Sequence, residues 1–262
     1  MFKRVTIICI SLAGLCGGMQ WGQAQQLVPR QPMSKSDHHS SLSKEDYLRG
    51  DLREKDVITR MTPRLSRELS ALNLELGSPV FIRVFKESLE LELWVQQGGS
   101  GPFKLFKSWP IAAVSGKLGP KLAEGDRQAP EGFYYVGKSQ MKPDSSFHLA
   151  FNIGYPNAYD RAHNRDGSFI MVHGNRVSIG CFAMTDPAME EIYTLCHAAL
   201  EEGQPFFRVH VFPFRMEAGR LAVESSNPSF EFWSNLQQGY AWFENKRTPP
   251  DVSVSNKRYT FR

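Results

Sequence analysis

The sequence predicts a mainly β domain with helical additions at both ends, and three observations carry that expectation. From Val80 onward apolar residues alternate with their neighbours. Short apolar runs then recur between segments rich in Gly, Pro, Asn and Asp. Beyond residue 80 only two stretches keep a helical spacing, and the second lies near the C-terminus.

Taken in chain order, the first 24 residues read as an export signal. Lys3 and Arg4 form a charged start, residues 5–15 are apolar, and Gly22-Gln23-Ala24 resembles a small-x-small cleavage site. The apolar run is shorter than the ~20 residues a spanning helix needs. No comparable run follows, so the mature chain is expected to lack a transmembrane segment, to begin near Gln25 and to reside in the periplasm. Cys16 would offer a lipid-anchored start, but Ala13-Gly14-Leu15 puts Leu where lipidation signals need a small residue. Cleavage removes Cys9 and Cys16 and leaves Cys181 and Cys196, too few for a disulfide framework or a zinc ribbon. The net charge of +4 is spread along the chain with no Lys/Arg block interleaved with aromatics. That excludes a nucleic-acid partner.

Residues 25–43 are Gln, Ser, Pro and His with few large apolar side chains, the composition of a flexible lead. His38 and His39 fall within it as a solvated pair. Behind Pro63, the spacing of Leu65, Leu69, Leu72 and Leu76 predicts a short helix. Val80, Ile82 and Val84, followed by Leu89, Leu91, Leu93 and Val95, predict a β-hairpin. Further strands are expected at 103–106, 109–114, 132–136, 168–173 and 206–214. One helix interrupts them: Asp186 can cap it and Pro187 suits its first turn. Met189, Ile192, Tyr193, Cys196, Ala199 and Leu200 share a face, and Gly203 can end it. A second helix begins near Pro228, with Phe232, Trp233, Leu236, Tyr240 and Phe243 on one side. The expected organisation is a signal peptide over 1–24, a lead with a short helical segment over 25–62, a catalytic domain over 63–215, and a helix-and-strand extension over 216–262.

Chemistry concentrates between residues 169 and 186. The run Phe169-Ile170-Met171-Val172-His173-Gly174 reads as a buried strand ending in His-Gly, and Ser178-Ile179-Gly180-Cys181 follows ahead of the capped helix. That order predicts a Cys181 near a helix N-terminus, where unpaired N–H groups and the dipole favour a thiolate. The Gly180 and Cys181 amides can then face an oxyanion, with His173 as proton acceptor. Three other readings compete. A lone cysteine is commonly a small buried hydrophobe, as Cys196 is expected to be on its apolar helix face. A Cys181–Cys196 disulfide is a second, and a zinc site from His163, His173 and Cys181 a third, although those spacings match no standard metal motif.

The run from His173 through Asn175, Arg176, Val177, Ser178, Gly180, Cys181 and Phe182 to Thr185 and Asp186 resembles the active-site signature of the L,D-transpeptidase (YkuD-type) catalytic domain, in its YafK-like branch. Similar loops precede it: Leu118-Gly119-Pro120-Lys121, Glu124-Gly125-Asp126-Arg127 and Pro130-Glu131-Gly132-Phe133-Tyr134, then Asn152-Ile153-Gly154-Tyr155-Pro156-Asn157-Ala158-Tyr159-Asp160-Arg161. The tail Gly239-Tyr240, Phe243-Glu244 and Pro249-Pro250 extends the likeness to about residues 65–262. The resemblance implies a β-sandwich catalytic domain with Cys181 as nucleophile and His173 as base, Gly180, Ser178 and Gly174 in oxyanion or positioning roles, and no cofactor or metal.

It also implies attack on an amide at the L-centre of diaminopimelate in peptidoglycan stem peptides. An amine acceptor makes a transpeptidase; water makes a hydrolase that trims D-Ala or frees wall-linked envelope protein. A non-catalytic wall-binding module is the reading from a different class. Typical members carry His where this chain has Ile179 and Arg where it has Ala183, and their His-to-Cys gap is longer than the eight positions here. Arg127, Arg161 and Arg176 are the candidates to replace the lost carboxylate contact.

Overall fold

The computed structural model describes residues 44–262. The expected signal, its cleavage site and the lead to residue 43, with Cys9, Cys16, His38 and His39, lie outside the described residues.

The first helix, α1, spans Lys44–Ser70 and carries Pro63 inside it. The sequence reading started a helix behind Pro63; the structure starts it nineteen residues earlier and leaves Leu72 and Leu76 beyond its end. An interior proline forgoes one backbone hydrogen bond. Here a continuous apolar stripe compensates, because Val57, Met61, Leu65 and Leu69 recur every fourth residue and all are buried.

Ten strands form two five-stranded sheets. The first contains β1 (Val80–Phe85), β2 (Glu90–Gln96), β3 (Phe103–Pro110), β5 (Gly132–Val136) and β10 (Phe207–Phe212), in the order β3-β2-β1-β10-β5. The second holds β4 (Ala113–Val114), β6 (Met141–Lys142), β7 (Ala150–Asn152), β8 (Met171–His173) and β9 (Phe182–Ala183), in the order β4-β9-β8-β7-β6. The expected β1–β2 hairpin is present. The run expected at 109–114 is divided, since the chain leaves the first sheet at Pro110 and enters the second at Ala113. The strand expected from residue 168 begins only at Met171, because Phe169 has φ +53° and breaks the extended run.

Both sheets share one core. Ile82, Val84, Leu91 and Leu93 of the first join Phe151, Val172 and Phe182 of the second, with Leu65 and Leu69 of α1. The same core takes Met189, Ile192, Cys196 and Leu200 from α3 (Asp186–Glu201), the face expected from spacing. Thr185, with φ +74°, is the N-cap of α3, and Asp186 sits in its first turn rather than capping it.

The alternation in β1 does not mark a wet face, because all six of its residues are buried. The short helix α2 is Ala158–Ala162. Its C-terminal counterparts are α4 (Ala218–Ala222) and α5 (Phe230–Lys246). Phe232, Trp233, Leu236 and Tyr240 of α5 pack on Phe85, Phe133 and Phe212, while Phe243 joins Phe81, Trp94 and Phe103. The hairpin β11–β12 (Val252–Ser255 and Arg258–Phe261) turns through Asn256 and Lys257, both at positive φ, and stacks Tyr259 on Tyr159 at 4.3 Å. The extension therefore supplies a second core. Trp233 is fully buried and donates its indole N–H to Glu131 at 2.7 Å. Trp233→Ala is expected to cost about 3–5 kcal/mol of stability. Chemical denaturation reads it, and an unchanged midpoint would show that the extension is not integral to the fold.

Candidate active site

His173 and Cys181 are brought together by a parallel strand pair. β8 and β9 align Val172 with Phe182 and His173 with Ala183. One step earlier in that register Met171 lies opposite Cys181, so side chains of odd-numbered residues share a face. Cys181 and His173 are thus diagonal neighbours on one side of the second sheet. Seven intervening residues, Gly174 to Gly180, make this parallel return.

The loop is held by Ser178. Its Oγ donates to the Cys181 carbonyl at 2.6 Å and accepts from the Gly180 N–H at 3.3 Å. Gly180 has φ +130°, a conformation that side-chain-bearing residues rarely adopt. It is buried, while its neighbours Val177 and Ile179 are exposed. Ile179 points to solvent at 81% exposure.

A single contact sets the tautomer of His173. His173 Nδ1 lies 2.5 Å from the Gly174 carbonyl. A carbonyl only accepts, so Nδ1 carries the proton and Nε2 the lone pair. Burial lowers the pKa of His173, partly opposed by the Gly174 carbonyl. The imidazole is therefore neutral at pH 7 and able to accept a proton.

The thiol is half-buried. The Met171 N–H points at Cys181 Sγ at 3.4 Å, and Sγ faces the Phe169 carbonyl at 3.5 Å. Burial raises its pKa, with the Met171 N–H and the Lys121 charge opposing. This corrects the expectation of a thiolate at a helix N-terminus. β9 separates Cys181 from α3, and the start of α3 serves the histidine end instead: Asp186 Oδ1 accepts the Asn175 N–H at 2.6 Å. Burial thus favours the neutral form of both the thiol and the imidazole, and no hydrogen bond joins them. Both thiols are free, and Cys196 is fully buried. Alkylation of native protein is expected to label Cys181 at a rate that rises with pH and to spare Cys196. Labelling of Cys196 first would contradict this geometry.

The sequence pattern of the L,D-transpeptidase catalytic domain (YkuD) matches residues 80–211. YafK of Escherichia coli K12, itself named only provisionally as an L,D-transpeptidase, is 47% identical over 184 residues, which cover 70% of this chain and 74% of that protein. The chain belongs to the L,D-transpeptidase family. Its YafK counterpart in Escherichia coli O157:H7 matches to the same extent. Among solved structures, the helical cell shape determining protein Pgp2 of Campylobacter jejuni is similar at TM-score 0.42 and 18% identity, over 73% of this chain and 80% of that one. Bd1075 of Bdellovibrio bacteriovorus gives TM-score 0.36 and 20% identity, over 68% and 78%. Both are too distant to bear on individual residues.

Membership makes this a peptidoglycan-related enzyme of a cysteine-dependent family. Cys181, His173, Gly174, Ser178 and Gly180 lie along the one return from β8 to β9. Arg127 and Arg176 are exposed, Arg161 donates to the Pro156 carbonyl, and none forms a hydrogen bond or ion pair with Cys181 or His173. His163 turns to the Lys257 carbonyl at 2.9 Å and stacks on Tyr159, away from the proposed zinc set. Among the described residues no group of three His, Cys, Asp or Glu is placed to hold a metal.

Sequence reasoning missed Lys121. Its side chain is buried, its Nζ donates to Asp126 at 2.5 Å and to the Ala123 carbonyl at 2.7 Å, and it lies 5.9 Å from the Tyr155 ring. It is the cation whose field reaches the Cys181 thiol. Only its place in the 118–121 loop motif hinted at it.

Proposed function

We propose that the chain is a periplasmic acyl-transfer enzyme acting on diaminopimelate-containing stem peptides through a thioester on Cys181. The observation that supports this best is the shared sheet face of Cys181 and His173, with Nδ1–H fixed by the Gly174 carbonyl. In the proposed sequence His173 Nε2 takes the thiol proton as Sγ attacks the amide carbonyl at the L-centre. The Gly180 and Cys181 amides receive the negative charge on oxygen, the Gly180 N–H exchanging its long bond to Ser178 for the oxyanion. The tetrahedral adduct collapses, the C–N bond breaks, and Nε2–H protonates the leaving amine. An incoming nucleophile then gives its proton to Nε2 and cleaves the thioester. An amine acceptor yields a cross-link; water yields hydrolysis of D-Ala or release of wall-linked protein.

Mass spectrometry of purified protein with muropeptides, with and without an acceptor amine, tests this. Expected are a mass increment on Cys181 and a released amine. Transfer to the added amine makes the enzyme a transpeptidase, and release without it makes a hydrolase. Absence of any acyl-enzyme or product, with retained binding to sacculi, would replace the reading by a wall-binding module. Export is part of the proposal: the mature chain is expected to begin at or near Gln25, and N-terminal sequencing that found a lipid-modified Cys16 would refute it. Among the described residues no helix is long and apolar enough to cross a membrane.

A further inference from the structure

The loop 143–149 between β6 and β7 lies on the His173–Gly174 corner. The Gly174 N–H donates to the Leu149 carbonyl at 3.0 Å. A Cβ on Gly174 would stand 2.8 Å from the Phe147 carbonyl oxygen and 3.0 Å from His148 Cβ, so only glycine admits the loop there. The Phe147 ring sits 4.9 Å from the His173 ring, centroid to centroid, at 36°. Phe147 is 38% exposed whereas His173 is 3% exposed. A partly wet phenylalanine thus roofs the buried imidazole.

An exposed aromatic on a loop needs something to hold it in place, and α1 supplies it. Arg53 Nη1 donates to the Ser145 carbonyl at 3.0 Å and the His148 carbonyl at 2.5 Å, bracketing Phe147. Gly50 lies so close to the loop that a Cβ there would stand 2.8 Å from Asp144 Cα. His148 Nε2 lies 3.0 Å from Glu190 Oε1, and Arg60 of α1 grips both oxygens of Glu190 at 3.0 and 2.9 Å. All these α1 residues precede the matched family segment, which starts at residue 80.

We propose that Phe147 is a positioning residue for the general base and that α1 is the clamp that keeps it over His173, through Arg53, Gly50 and the Arg60–Glu190–His148 chain. The inference rests on the reading of His173 as base. The roof excludes water from one face of the imidazole and blocks its rotation, so that Nδ1–H stays on the Gly174 carbonyl and Nε2 is presented to the thiol proton. The ionisable groups on the surrounding elements are Cys181 before β9, Asp186 at the start of α3, Lys121, and His148 paired with Glu190. Burial lowers the pKa of the ring and the Gly174 carbonyl raises it.

The test follows two signals in the full chain: NMR titration of His173, and the rate of Cys181 alkylation against pH. Both are independent of turnover on peptidoglycan. Phe147→Ala is expected to let His173 titrate at higher pH and to slow alkylation at pH 7 at least threefold, while Phe147→Tyr keeps both near wild type. Arg53→Ala should move both signals the same way with less amplitude, and Arg53→Lys should recover them. A merely structural Arg53 would lower the unfolding temperature and leave both signals in place. If His173→Ala slows alkylation but Phe147→Ala changes nothing, the positioning role is overturned while the base survives. If Phe147→Ala acts and Arg53→Ala does not, the clamp is overturned. If His173→Ala itself leaves alkylation unchanged, the base reading fails and takes this inference with it.

Discussion

Cys181→Ala is expected to remove acyl-enzyme formation and product release together, a loss on the order of 10⁴- to 10⁶-fold in turnover. The other thiol among the described residues cannot substitute, since Cys196 is sealed in the core with its pKa raised far by burial. The variant should fold normally, because Cys181 is half-buried and bonds only weakly to Met171 and Phe169. His173→Ala should cost roughly 10²- to 10⁴-fold. Its effect is large because burial raises the thiol pKa and disfavours the thiolate, so the reaction needs a proton acceptor. Cys181→Ser should be nearly inactive, as a hydroxyl is harder still to deprotonate. Ser178→Ala should be milder, loosening the loop without removing a reacting atom. Muropeptide assays beside thermal unfolding decide the matter, and processing by Cys181→Ala would sink the covalent mechanism.

The pattern of legibility follows from physics. α3 was readable because its buried face spans four turns, long enough for a period to show. The Gly132–Val136 strand was readable for its apolar run between turn signals. The second sheet was mostly not, because β4, β6, β7 and β9 are two or three residues long and show no periodicity. Pro63 misled, since proline suits a helix start in general, yet packing of Val57 and Met61 carries the helix through it. The motif singled out Cys181 and His173 as candidates and carried no information on the surroundings of the thiol. Those depend on β9 intervening before α3 and on a buried lysine sixty positions upstream.

That lysine gives the second large effect. Lys121→Met keeps the length and apolar stem of the side chain but removes a positive charge that opposes the rise in the thiol pKa. The thiol pKa should then rise further, the Cys181 alkylation profile should move to higher pH, and turnover should fall on the order of 10- to 100-fold. The fold should survive, because Asp126 keeps the N–H groups of Leu122 and Ala123 on one oxygen and that of Gln128 on the other. A second reading comes from acid. Burial opposes ionisation of Asp126, but Lys121 and the N–H groups of Ala123, Gln128 and Leu122 outweigh it and lower its pKa from 3.8 to about 2. A carboxyl depressed in the folded state contributes stability that is complete above its unfolded pKa and lost as pH falls through the folded one. The Asp126 contribution should therefore fade between pH 3.8 and about 2 in the wild type. In Lys121→Met the folded pKa lies closer to 3.8, so the contribution is smaller and disappears at higher pH within that window. Unfolding temperatures measured across acid pH should show the difference. If Lys121→Met leaves both the alkylation profile and the acid limb unchanged, Lys121 is a packing residue alone, and the charge opposing the buried thiol has to come from elsewhere.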